Sequence, residues 1–113
     1  MDYLLAVYVP ITDVEQVKKA LFDAGAGKYK HYDQCCWQTA GQGQFRPLPG
    51  SNPTIGKQAH VEIIDEVKLE LICDAVCLNN VIHALRESHP YEEPAFHVVK
   101  IMNNMHTKQK SGP

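Results

Sequence analysis

Tyr3 to Val9 is an almost unbroken apolar run, with Leu5, Val7 and Val9 on one side of an extended chain and Leu4, Ala6 and Tyr8 on the other. Side chains on a strand alternate between faces, so a run apolar on both predicts a central strand, ended by Pro10. The period then changes. Val14, Val17, Leu21 and Ala24 recur at helical spacing among Glu15, Gln16, Lys18, Lys19 and Asp23, which predicts a helix with one buried stripe from about Asp13. Thr12-Asp13-Val14-Glu15 has the form of a capping box, in which a hydroxyl and a carboxylate serve the free amides of the first turn. Gly25-Ala26-Gly27 closes the helix, and because it follows a helix instead of opening one it has the wrong order for a phosphate cradle.

Aromatic and β-branched residues around Trp37 predict a second strand from about Tyr32 to Thr39. Gly41 to Gly56 follows, with four of the seven glycines and three of the seven prolines, and reads as a long excursion of the kind that often carries function. Phe45 and Ile55 can pin it to the body, leaving Arg46 to meet an anion or a neighbouring subunit's carboxylate. Ala59 to Cys73 alternates over a long span, which predicts a third strand, the longest, with a bulge or bend at Ile64-Asp65-Glu66 where the alternation is interrupted. Asp74 is placed to cap a second helix whose stripe is Leu78, Val81, Ile82 and Leu85, ending near Ser88. Phe96 to Ile101 forms a last strand, with Phe96 and Val98 opposite His97 and Val99, and the chain turns polar from Met102.

Strand, helix, strand, strand, helix, strand is the split βαβ order of an α+β, ferredoxin-like βαββαβ sandwich. Right-handed crossovers put strands one and three in the middle of a four-stranded antiparallel sheet with both helices on one face. The other face then stays uncovered. It carries apolar residues of strands one and three that are costly to leave in water, so self-association through the open sheet face is expected. One domain over residues 1–101 and a flexible C-terminal tail over 102–113 complete the organisation.

Composition narrows the function classes. At 113 residues and 44% apolar content the chain is long enough for a real core. No apolar run approaches the roughly 18 residues that span a bilayer, and no basic region precedes the first apolar residues, which points to a cytoplasmic location away from membranes. A net charge of −2, with lysines and arginines scattered except for Lys108 and Lys110, disfavours nucleic-acid binding. Cys35, Cys36, Cys73 and Cys77 form no Cys-x-x-Cys and read as small buried hydrophobes of a reducing compartment.

The densest chemistry lies in Ser88-His89-Pro90-Tyr91-Glu92-Glu93-Pro94, where an imidazole, a phenol and two carboxylates sit between prolines. Each proline turns the residue before it away from helical angles, so the segment is either a stiff helix-to-strand connection or a binding corner. Six histidines invite a metal, yet none has His-x-x-x-His spacing. His89 with Glu92 and Glu93 is the best local set for a divalent ion, and would need further ligands from other strands or subunits. No catalytic residues are assigned, because adjacent glutamates on an extended chain point in opposite directions and form no dyad.

Gly25-Ala26-Gly27, Tyr32-Asp33 with Cys35, Gly41-Gln42-Gly43-Gln44-Phe45-Arg46-Pro47, Gly50-Ser51-Asn52-Pro53-Thr54-Ile55-Gly56, Glu66, Glu70 and His89-Pro90-Tyr91-Glu92-Glu93-Pro94-Ala95 together resemble the PII/CutA-like domain inserted in Nif-three-like dinuclear-metal proteins, and its free-standing relatives. The resemblance covers roughly Met1 to Ile101, with Cys36-Trp37 standing where a serine and an aromatic are expected. It implies a PII/CutA-like fold and assembly through sheets. In two-domain relatives the paired metals are held in the halves flanking this insert, so their proposed hydrolase activity does not carry over. The family's most characteristic surfaces, Gly41 to Gly56 and His89 to Glu93, supply the ligand-binding candidates Arg46, Asn52, His89, Tyr91, Glu92 and Glu93. A small oligomeric binding or regulatory module without catalysis of its own, taking a small molecule or a protein partner, is the leading expectation. Its alternatives are a divalent-metal-binding protein with His89, Glu92 and Glu93 as ligands, and a metal-assisted hydrolase.

Overall fold

The structure is a computed structural model that describes residues 2–102. Four strands, β1 (Tyr3–Pro10), β2 (Trp37–Phe45), β3 (Glu62–Cys73) and β4 (Phe96–Lys100), and two helices, α1 (Val14–Asp23) and α2 (Leu78–Ser88), follow in the order β1, α1, β2, β3, α2, β4. The strands form one antiparallel sheet in the order β2-β3-β1-β4, so β1 and β3 are central as expected. Leu5, Val7 and Val9 of β1 and Val67, Leu69 and Leu71 of β3 pack against Val14, Val17 and Leu21 of α1 and Val81 and Leu85 of α2. Burying each such side chain contributes roughly 1.5–3 kcal/mol, which makes this single layer interface the main source of stability. Gly25-Ala26-Gly27 is the helix exit: the Ala26 amide reaches back to the Leu21 carbonyl, with Gly25 at φ 114° and Gly27 at φ 80°.

Three local expectations are corrected. β2 begins at Trp37, not near Tyr32, and runs through Gly41 to Phe45, so the first third of the glycine-rich excursion is strand. Pairing with β3 supplies the hydrogen bonds that low strand propensity in Gly41-Gln42-Gly43-Gln44 would not predict. β3 carries no bulge. Its register is unbroken against both neighbours, from Trp37↔Glu70 to Phe45↔Glu62 and from Tyr3↔Cys73 to Pro10↔Glu66. Val61, Ile63 and Val67 share one parity, and Asp65 stands on the same side in a part of the hairpin that β1 does not reach.

Neither expected cap forms. A 3-10 turn, Ile11–Asp13, precedes α1, and the Thr12 hydroxyl donates to the Asp13 carboxylate at 2.9 Å without meeting a helix amide. A second 3-10 turn, Ala75–Cys77, precedes α2, and its Ala75 amide donates to Asp2 at 2.7 Å, from a residue at the other end of the chain. The expected tail from Met102 lies, past that residue, outside the described residues.

Candidate functional site

β1 pairs with β3 only as far as Glu66, so β3 from Glu62 to Asp65 and β2 from Gln42 to Phe45 continue as a two-stranded arm. The segment 46–61 turns back from the tip of that arm. It is knit internally: the Ala59 amide donates to the Pro47 carbonyl at 2.6 Å, the Ser51 amide to the Leu48 carbonyl at 3.1 Å, and the Gln58 side chain to the Ser51 carbonyl at 3.2 Å. Between this loop, the open sheet face and the corner after α2 lies a cleft of about 900 Å³. Tyr8, Phe45, Tyr91, Pro53 and Ile55 give it apolar walls, while Arg46, Glu66, Lys68, Glu70, Glu92 and Glu93 bring charge to it.

The corner is held by His89. β4 starts at Phe96, opposite Val7, and the Tyr8 amide still finds the Ala95 carbonyl at 3.2 Å. The Tyr8 carbonyl points the same way and has run out of strand. His89 Nε2 stands 2.7 Å from it and its Nδ1 accepts the Tyr91 amide at 3.1 Å, which requires a neutral ring with the proton on Nε2. His89 is 6% exposed, and burial lowers its basicity below the ordinary imidazole value despite the Tyr8 hydrogen bond and the nearby Glu66 and Asp13 carboxylates. This histidine replaces a strand partner at the sheet edge.

Tyr91 turns into the cleft. Its ring meets Phe45 edge-on, with centroids 5.8 Å apart and planes at 63°, and its hydroxyl donates to Glu66 Oε2 at 3.0 Å. Burial first, then the hydrogen bond to Glu66, pushes the phenol well above its ordinary value, so it stays a donor at every physiological pH. Glu66 fits here because Gly43, on the neighbouring strand, has no side chain: a Cβ there would occupy the space of the Glu66 carboxylate. Lys68 lies 3.8 Å from Glu70 and above the Tyr8 ring.

Glu92 takes a different role from the expected one. Its Oε1 accepts the Asn52 main-chain amide at 2.9 Å, and the Thr54 hydroxyl donates to the Pro90 carbonyl at 2.7 Å, so the loop is tied to the corner across 40 and 36 residues of sequence. Glu93 and Arg46 are exposed and line the cleft. Of the six candidates, Arg46, Tyr91, Glu92 and Glu93 line this cleft, Asn52 meets Glu92 through its main-chain amide, and His89 lies outside the lining, turned to Tyr8 and the Tyr91 amide. The trio His89, Glu92 and Glu93 does not converge as a metal set: both His89 nitrogens are engaged by main chain, and Glu92 is turned to the loop. Among the described residues no group of three or more histidines, cysteines, aspartates or glutamates is placed to hold a metal ion. Sequence reasoning missed Tyr8, Lys68 and Thr54 as site residues, and the part of Gly43 in seating Glu66; the Gly41-x-Gly43 alternation was the available signal, since paired glycines on one strand face leave room for something else.

No family model matches the chain. It is 43% identical over 105 residues to the protein named GTP cyclohydrolase 1 type 2 homolog of Halalkalibacterium halodurans, covering 93% of this chain and 28% of that one. The Bacillus subtilis protein of the same name is 42% identical over 97 residues, covering 86% of this chain and 26% of that one. Among solved structures, the Bacillus cereus protein related to NIF3 superposes with a TM-score of 0.78 at 37% identity, over 90% of this chain and 26% of that chain. The chain is homologous to a PII/CutA-like domain of the Nif-three-like proteins. The fold half of that statement is independent of close sequence likeness: the periplasmic divalent cation tolerance protein CutA of Archaeoglobus fulgidus shares 14% identity yet superposes with a TM-score of 0.66 over 94% of this chain and 89% of its own. The chain spans about a quarter of the length of the curated relatives it matches. No helix among the described residues is long and apolar enough to cross a membrane.

Proposed function

We propose that this domain is a cytoplasmic binding or regulatory module without catalysis of its own, which takes a small molecule in the cleft between the open sheet face and the loop over 46–61, and which works as a homo-oligomer. The cleft carries the reading. A cavity of about 900 Å³ with aromatic walls and a few convergent charged groups has the size and character of a small-molecule site. Its charged members, Arg46 among them, stand at the rim or on the floor, an arrangement suited to holding a ligand. Self-association is supported by the apolar part of the uncovered face: Trp37 is 69% and Val99 49% exposed, beside half-buried Leu4 and Ile72.

A Cβ added at Gly41 meets nothing within 4 Å, so Gly41→Trp places a large side chain on the cleft floor without a backbone clash. Saturable binding of the dye 8-anilinonaphthalene-1-sulfonate, and any melting-temperature rise from a panel of nucleotides, amino acids and divalent salts, is expected in the wild type and lost in this variant. Equal binding by both removes the cleft as the site, and sedimentation of the same samples as monomers at tens of micromolar removes the oligomer.

A further inference from the structure

We infer that the loop over 46–61 is a lid on the cleft, held shut by a two-point latch in which the Glu92 carboxylate takes the Asn52 amide and the Pro90 carbonyl takes the Thr54 hydroxyl. The two ends of the loop are already closed on each other by the hydrogen bond between Ala59 and Pro47, and the Gln58 side chain binds Ser51 across it, so the segment moves as a unit about its base. Gly50 at φ 97° and Gly56 at φ 91° set its turns, and Gly56 packs against the Glu62 side chain so closely that a Cβ would collide. The lid is thus a preformed plate hinged at the arm.

The two latch bonds join the tip of the plate to the corner after α2. Both are exposed, at 2.9 and 2.7 Å, where each contributes little and water can compete, so the closed state is favoured without being locked. The corner itself does not yield. Pro90 and Pro94 bound it, the His89 imidazole fixes it to Tyr8 and to the Tyr91 amide, and Tyr91 is seated against Phe45 and Glu66. A rigid post, a rigid plate and a weak exposed catch between them are the parts of a gate. The latch matters to function only if the cleft is the binding site, and it would set how fast a ligand enters and leaves.

Amide hydrogen exchange on the full chain tests the latch directly. In a Glu92→Ala, Thr54→Val variant the Asn52 amide and the loop amides are expected to exchange at least tenfold faster, with the amides of β1 and β3 unchanged. Glu92→Gln and Thr54→Ser keep an acceptor and a hydroxyl in place and are expected to stay near wild type. Loop amides that exchange alike in every variant would overturn the latch, as would an acceleration shared by the whole core. The same proteins report on gating through stopped-flow release of 8-anilinonaphthalene-1-sulfonate, expected to be at least tenfold faster in the double variant. Faster loop exchange with dye binding that survives Gly41→Trp would leave the latch standing and remove the cleft as the binding site.

Discussion

Gly43 is the position where the site and the sheet make opposing demands, and replacing it separates them. Glycine inside a strand is less stable than alanine by about 0.5–1 kcal/mol, so on backbone grounds Gly43→Ala should stabilise. A Cβ at Gly43, however, falls on the Glu66 carboxylate, and because that carboxylate is the far end of a flexible side chain it swings aside and releases the Tyr91 hydroxyl. A hydrogen bond to a charged acceptor contributes about 1.5–3 kcal/mol, reduced here to about 1–2 because Glu66 and Tyr91 are only half-buried and water replaces part of the loss. Gly43→Ala is therefore expected to be neutral to destabilising in the wild type and to become stabilising once Tyr91→Phe has removed the hydroxyl. The coupling between the two substitutions is about 1–2 kcal/mol. Gly41→Ala, with open space around its added Cβ, serves as the control and should stabilise in both backgrounds. Urea unfolding followed by far-ultraviolet circular dichroism measures all six proteins. Additivity of Gly43→Ala and Tyr91→Phe within about 0.3 kcal/mol would refute the claim that one bond is lost in both.

Two further outcomes are expected. His89 binds its proton less readily folded than at its ordinary value of 6.5, so the folded state holds fewer protons than the unfolded chain, and stability is full above that value and falls as pH drops through it toward the folded-state value. Urea midpoints between pH 8 and pH 5.5 should decline on acidification in the wild type and much less in His89→Gln; parallel curves would remove His89 as the cause. Asp2→Ala leaves the Ala75 amide at the start of the turn before α2 without its carboxylate and should cost about 0.5–2 kcal/mol, with Asp2→Asn recovering most of it. A urea midpoint unchanged in Asp2→Ala would show that water serves that amide equally well.

Four of the six candidates named from the sequence line one cleft, and the fold turns the others elsewhere. His89, Glu92 and Glu93 lie within five residues and looked like a cluster, but local order does not say which way a side chain turns, and the three face a main-chain carbonyl, a loop amide and the cleft rim. Tyr8 and Lys68 escaped notice because each reads as an ordinary strand residue; their place in the cleft follows from β1 and β3 being neighbours. The bulge expected in β3 came from reading Asp65 as a break in alternation, when it is a polar residue kept on the helix side of the sheet beyond the reach of β1.

Periodicity by itself determined the element types, the buried stripes of both helices, the identity of the central strands and hence the ferredoxin-like sandwich, because burying one face of each element is a local requirement written into residue spacing. Tertiary structure alone decided where β2 begins, which carboxylate serves the turn ahead of α2 and how the cleft is assembled. Those depend on partners far away along the chain: Asp2 beneath Ala75, Gly43 making room for Glu66, Tyr91 reaching it from the far side of α2, and Glu92 holding an amide 40 residues earlier. A hydrogen bond is directional and short, so it is defined only when both ends have been placed in space.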